Sequence, residues 1–286
     1  MRLETEVVEA VSSLDRESYD AIKGRVNWST LKNIARSPAH YLHGMTTPRE
    51  DTAALRLGRA VHMAVFEPER MAAAYAIWDG GIRRGKAWDA FSERNAHREI
   101  LTEAEMATCL DLSVAVRNNP VAAQYVSGGK GEQTALWTDR VYQLECKARL
   151  DFVADCGALV DLKTTRDASP GGFSKVAWAY QYHVQAAWYS DGYEAATGKR
   201  LPYVLVAVEK EAPHVVQVYR VPDAILDLGR ETYRNLLGTL VDCRKASAWP
   251  GYSTAAMELE LPRWAVSFAD DEDLADMDLQ ISNQER

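Results

Sequence analysis

Three features of the sequence predict an α/β fold, a central mixed sheet flanked by helices with additional helices toward the N-terminus. First, apolar and polar residues alternate in Leu144–Phe152 and again in Ala158–Thr164, and a period of two marks a strand. Second, Tyr203-Val204-Leu205-Val206-Ala207-Val208 is a continuous apolar run, as expected for a strand covered on both faces. Third, long segments such as Thr52–Phe66 and Thr102–Asn118 carry helix signals between these strands and before them.

Residues 1–26 open with polar sequence, read as a loosely attached N-terminal arm. Asn27-Trp28-Ser29-Thr30-Leu31 begins a helix for which Ser29 is a candidate N-cap, and Pro38 marks a new turn. In Thr52–Phe66 the residues Ala54, Leu57, Gly58, Val61 and Val65 recur at helical spacing, and the small Gly58 and Ala60 permit close packing on a sheet. Pro68 starts a short helix. Gly80-Gly81-Ile82-Arg83-Arg84-Gly85-Lys86 is a basic loop punctuated by glycine, followed by a charged helix from Ala87 to about Glu99. Thr102, with Glu105 three residues on, reads as a capping box for the next helix. Strands are expected at Glu132–Asp139, Gln143–Ala154 and Ala158–Thr164, then a helix over Gln181–Ala196. The apolar strand at Tyr203 pairs with His214–Val221, and Asp223–Ser247 forms a closing helix. One domain, 27–250, is followed by a tail, 251–286.

With 47% hydrophobic and 26% charged residues, 286 residues hold enough apolar material for one large core. No apolar run approaches a membrane span, and the charged start carries no secretory leader pattern. Four scattered cysteines, without a C-x-x-C pair, fit a reducing cytoplasm and argue against structural zinc or a cysteine-held cluster. The net charge of −8 is concentrated at the end. Residues 257–286 hold nine acids against Arg263 and Arg286, a balance of −7 that leaves −1 for the rest. The body is therefore not opposed to a polyanion.

Chemistry concentrates at Val160-Asp161-Leu162-Lys163-Thr164-Thr165. In a strand Asp161 and Lys163 share one face, with Val160 and Leu162 turned the other way. Asp151 ends the preceding alternation, so a hairpin would bring both acids and the lysine to one spot. Two carboxylates sharing a divalent ion beside a cation suit phosphodiester hydrolysis. Gln185 and Tyr189, four apart on the following helix, share a face, with Gln181 one turn earlier. Lys147 and Arg149 share the face of Asp151. An isolated His62 on a helix most simply reads as a packing residue, and Glu132 as an edge-strand acid.

A strand bearing Asp-x-Lys and then a helix bearing Gln-x-x-x-Tyr resemble the PD-(D/E)XK nuclease superfamily in its RecB-like branch. The runs Tyr182-His183-Val184-Gln185-Ala186-Ala187-Trp188-Tyr189, Asp161-Leu162-Lys163-Thr164-Thr165 and Leu57-Gly58-Arg59-Ala60-Val61-His62 resemble the RecE-type, exonuclease VIII-like nuclease domain. The likeness runs from about Asn27 to about Pro250. It implies a PD-(D/E)XK nuclease fold and a metal-dependent exonuclease of linear double-stranded DNA. Digestion would run 5′ to 3′ and leave a 3′ single strand for an annealing recombinase, as in phage or prophage recombination. The implied cofactor is Mg²⁺, with Mn²⁺ able to substitute. Asp151, Asp161 and His62 would hold the metal, with Glu132 a possible addition. Lys163 would position water, and Gln185 and Tyr189 would contact substrate or orient the lysine. Arg83, Arg84, Lys86 and Arg149 would meet the DNA backbone, with Trp88 as a stacking or wedge residue. A ring homotetramer in the cytoplasm is implied, without a membrane partner. Two other readings stay open, an endonuclease or nickase of the same superfamily and a non-catalytic DNA-binding or scaffold protein.

Overall fold

A computed structural model describes residues 10–47 and 50–261. Its strands are β1 (Ala10–Ser13), β2 (Tyr75–Trp78), β3 (Glu99–Thr102), β4 (Gly129–Asp139), β5 (Leu144–Ala154), β6 (Ala158–Thr165), β7 (Tyr203–Glu209) and β8 (Val216–Val221). Its first helices are α1 (Arg16–Ala21), α2 (Trp28–Leu31), α3 (Pro38–Thr46), α4 (Ala53–Phe66), α5 (Met71–Ala74) and α6 (Lys86–Arg94). They are followed by α7 (Glu103–Asn118), α8 (Ala123–Val126), α9 (Pro170–Ala179), α10 (Tyr182–Thr197) and α11 (Asp223–Ala246).

Six strands form one sheet in the order β1-β4-β5-β6-β7-β8, and β2 and β3 form a separate parallel pair. Only β6 and β7 run parallel within the large sheet, and α9 and α10 supply the crossover that parallel neighbours require. The sheet is therefore mixed, and the α/β class expected from the sequence is present. Among the described residues, those up to Trp249 form one compact unit and those from Pro250 form another.

Side-chain parity decides what each face of the sheet meets. Val160 and Leu162 of β6, with Val204, Val206 and Val208 of β7, pack with Ala60, Val61 and Val65 of α4 and Leu112 and Val116 of α7. Leu159, Tyr203, Leu205 and Ala207 face the other cluster, which contains Val184 and Trp188 of α10 and Leu237 and Leu240 of α11. Both faces of β7 are covered from Tyr203 to Val208, which is why that run is uninterruptedly apolar. Gly229 permits the α10–α11 contact, since a Cβ there would lie 2.3 Å from the carbonyl oxygen of His183.

Two expectations are corrected. The stretch read as a loose arm is, from Ala10, the edge of the sheet: β1 pairs with β4 from Ala10 opposite Leu136 to Ser13 opposite Gln133. It is tied further by Lys147 Nζ, which donates to the carbonyls of Tyr19 and Ile22 at 2.8 Å each. The N-cap of α2 is Asn27, whose side chain accepts from Thr30 N, while Ser29 donates its hydroxyl to Asn27. The capping box of α7 has the expected form, Thr102 with Glu105. Of the tail, Gly251–Leu261 is exposed and without helix or strand, and the acids from Asp270 onward lie outside the described residues.

Candidate active site

The site forms where two paired strands part. β5 and β6 are joined only from Phe152 opposite Val160 to Ala154 opposite Ala158. Past that point β6 continues beside β7 and β5 continues beside β4. Asp151 and Asp161 are the first residues beyond the split. Asp151 accepts the Leu162 backbone N–H at 3.3 Å through Oδ2, so its side chain occupies a place that a ladder bond would otherwise fill.

Four elements deliver the remaining groups. Lys163, on the Asp161 face of β6, places Nζ 2.7 Å from Asp161 Oδ1 and donates to Gln185 Oε1 of α10 at 3.0 Å. Its Nζ also lies 4.6 Å from the centre of the Tyr182 ring. Tyr203, opposite Leu159 on β7, donates its hydroxyl to Asp161 Oδ2 at 2.9 Å. His62 of α4 brings Nδ1 to 3.2 Å from Asp151 Oδ2. Gln185 also hydrogen-bonds Tyr189, so one amide links the lysine to a half-buried phenol.

Burial makes these charges interdependent. It raises the Asp151 carboxyl well above its ordinary value, and the negative Asp161 beside it raises it further. Burial also acts to raise Asp161, but Lys163 and the hydrogen bond from Asp151 outweigh it and hold that carboxyl low. Lys163 is desolvated, yet the two acids keep it charged. Burial holds His62 below its ordinary value, toward the neutral imidazole that can ligate.

These residues fit a divalent cation. Asp161 Oδ1 is buried without a well-formed hydrogen bond even though a lysine nitrogen is near. Two carboxylates are pressed together, and a neutral imidazole adjoins one of them. Two hard oxygen donors with one nitrogen suit Mg²⁺ or Mn²⁺. Among the described residues no group of three or more His, Cys, Asp or Glu side chains is placed to hold a metal ion. The fit rests on the acid pair and its unsatisfied oxygen.

The other residues singled out from the sequence have varied places. Glu132 has a left-handed backbone (φ 50°) and sits in register opposite Asp151, between Gly131 and Gln133. It ion-pairs with Arg149 Nε, and its charge reaches His62 and Asp151. Arg149, with 17% of its side chain exposed, pairs with Glu132 and lies over the Tyr19 ring. Lys147 is buried against the same ring.

The basic loop is not among the groups that meet at the fork. Arg83 is spent on Glu105 (2.6 Å) and the carbonyl of Ile100 (3.1 Å), whereas Arg84 and Lys86 are exposed. Trp88 is half-buried and packs edge-on against Trp78, with the Arg83 guanidinium over its ring. Tyr203, Tyr182 and Tyr19 were not singled out from the sequence. Only the β6–β7 register, in which Tyr203 shares a face with Asp161, could have revealed the first of them.

Residues 27–260 match the sequence family described as a PDDEXK-like domain of unknown function (DUF3799). No curated protein matches the chain. A crystal structure from Eubacterium rectale, described as a candidate exonuclease, is similar with a TM-score of 0.61 at 16% identity. It covers 89% of this chain and 98% of its own, a likeness that shows the fold. An alkaline exonuclease from Laribacter hongkongensis aligns over 82% of this chain and 97% of its own at 11% identity, but a TM-score of 0.30 gives that comparison no weight.

Proposed function

This chain belongs to the PDDEXK-like domain family, and from that premise we propose that it is a metal-dependent nuclease hydrolysing DNA at the β5–β6 fork. The observation that carries the reading is the buried Asp161 set against the half-buried Asp151 and Lys163, with an acid oxygen left without an aligned donor. Structural ion pairs satisfy such atoms, whereas reactive sites leave them for a ligand.

Asp151 and Asp161 would hold the metal, with His62 as third ligand or as support for Asp151. The ion supplies charge neutralisation on the phosphate and a more acidic bound water. Lys163 donates one N–H to Gln185 and holds Asp161 as an ion pair without an aligned N–H, so its remaining N–H groups would serve the attacking water or a non-bridging phosphate oxygen. Gln185 fixes that orientation and is itself held by Tyr189. Hydrolysis breaks the bond from phosphorus to the departing ester oxygen, which leaves with a proton as the water oxygen bonds to phosphorus. Glu132 sets the field at the rim.

The finer reading is a Mg²⁺-dependent exodeoxyribonuclease acting on linear duplex from 5′ to 3′. It leaves a 3′ strand for an annealing recombinase and works as a ring homotetramer. This detail rests on the resemblance of the Asp161–Thr165 and Tyr182–Tyr189 runs to RecE-type domains. The test is to incubate linear duplex, labelled at the 5′ or the 3′ end, and closed circular duplex with Mg²⁺. Early release of the 5′ label with intact circles is the expected outcome. Cutting of the circle would turn the reading to an endonuclease or nickase, and DNA binding without any cleavage would turn it to a scaffold.

A further inference from the structure

Two large aromatic side chains stand in solvent beside the site, Trp178 at 66% exposure and Tyr180 at 64%. Side chains of this kind are common where a ring face meets a partner. Both lie where α9 turns into α10, a reversal made by the left-handed Gln181 (φ 57°). Each is stacked on a neighbour. Trp178 lies on His183 with ring centres 5.1 Å apart and planes 6° from parallel, and Tyr180 lies on Tyr182 at 5.8 Å and 18°. The Tyr182 ring is the one that Lys163 Nζ approaches to 4.6 Å. An aromatic path thus runs from the lysine of the site through Tyr182 to the exposed Tyr180, and Trp178 stands two residues before Tyr180 at the same turn.

We propose that Trp178 and Tyr180 form a stacking platform for unpaired nucleobases of the DNA strand that passes Lys163. The proposal rests on the nuclease reading above and names the form of DNA that the site engages. Bases stack on aromatic rings whatever their identity, because every base has a π face. Within a duplex those faces are already stacked on one another, so an exposed ring pair beside the reacting lysine selects a strand that has lost its partner. The neighbouring charge agrees. Lys175 is exposed one turn before Trp178 on α9 and therefore shares its helix face, placed for a phosphate of the same strand.

The test measures affinity in Ca²⁺, which supports binding with little turnover. The probes are a blunt duplex, the same duplex with an unpaired 5′ or 3′ tail, and the same tailed duplexes with abasic tails. The full chain should prefer a base-bearing tail over its abasic counterpart by about fivefold or more, the lower range of base–aromatic stacking. Trp178→Ala and Tyr180→Ala should each erode that preference, while Trp178→Phe and Tyr180→Phe retain most of it. Equal affinity of the parent for both kinds of tail overturns the platform, as does an undiminished preference in the alanine variants. If those variants keep the preference and instead sediment as smaller species, the rings are a contact between copies, and the proposal is wrong. A parent that shows the preference but cuts no DNA in Mg²⁺ defeats the nuclease reading alone. One that cuts without the preference defeats the platform alone, and one that neither binds nor cuts defeats both.

Discussion

Helix α10 borders two buried charge clusters, and they differ in one respect. On its α11 side Asp191 accepts from Arg230 Nε (2.7 Å), Arg230 Nη2 (2.6 Å) and the Tyr233 hydroxyl, so both of its oxygens are engaged. On its β6 side Asp161 keeps an oxygen without a proper donor and stands against a second acid. The first cluster has what a buried carboxylate needs and works as a clasp between helices. The second is left incomplete by the protein alone, as expected of a place built to receive a ligand. The two are connected, because the clasp fixes the helix that carries Gln185 to Lys163.

The largest effect should come from the incomplete cluster. Asp161→Ala is expected to reduce DNA hydrolysis about a thousandfold or more, roughly 4 kcal/mol of transition-state stabilisation, with little loss of thermal stability. A cleavage assay beside a melting curve checks both halves. A tenth of parental activity remaining would remove Asp161 from the metal site. Asp191→Ala should do the reverse and lower unfolding stability by about 2–3 kcal/mol, read from urea titration, because Arg230 is left partly buried with Asp227 as its remaining partner. If it cost activity without stability, the contrast between the two clusters would collapse.

A smaller effect separates them by pH. The Asp151 carboxyl is held well above 3.8 by burial and then by Asp161, so the folded protein keeps a proton that the unfolded chain releases. That contribution is present at low pH and lost as pH rises through the folded value. In metal-free protein Asp151→Asn should therefore melt roughly 2–6 °C higher than the parent at pH 8, with the gap narrowing toward pH 4. A gap that widened on acidification would contradict the crowding of the two acids. The smallest effect concerns the exposed loop. Replacing Arg83, Arg84 and Lys86 by alanine should flatten the salt dependence of DNA affinity by about one counterion per lost phosphate contact. Since Arg83 already serves Glu105, a change of about two is expected, and identical slopes would mean the loop is merely solvated.

Alternation and apolar runs made the main sheet legible, since burial on one face or both writes itself into sequence. The strands at Leu144, Ala158 and Tyr203 and the helix after Gln181 were expected within a residue or two of where they lie. What escaped has local physical reasons. The four-residue strands β2 and β3 are too short to show a period. The edge strand β1 reads Ala-Val-Ser-Ser, which gains its structure only from pairing with β4. At the fork, the meeting of Asp151, Asp161 and Lys163 could be anticipated from strand parity. The Arg149–Glu132 pair and the Tyr203 hydroxyl on Asp161 depend on register between strands, which no single segment encodes.

The strand fork also bears on the order in which the protein assembles. Asp151 and Asp161 come together through one tight hairpin, closed at residues 155–157. Gln185 and Tyr203 reach them only through the long crossover between β6 and β7. Short loops close sooner and at lower entropic cost than long ones. The acids are thus brought together by nearly local contacts, and the groups that restrain the lysine arrive with the slower parallel pairing. A chain caught between these steps would gather negative charge at the fork before gaining the cover that tempers it. Such an intermediate should respond to divalent cations during refolding even where the finished fold needs none to stand.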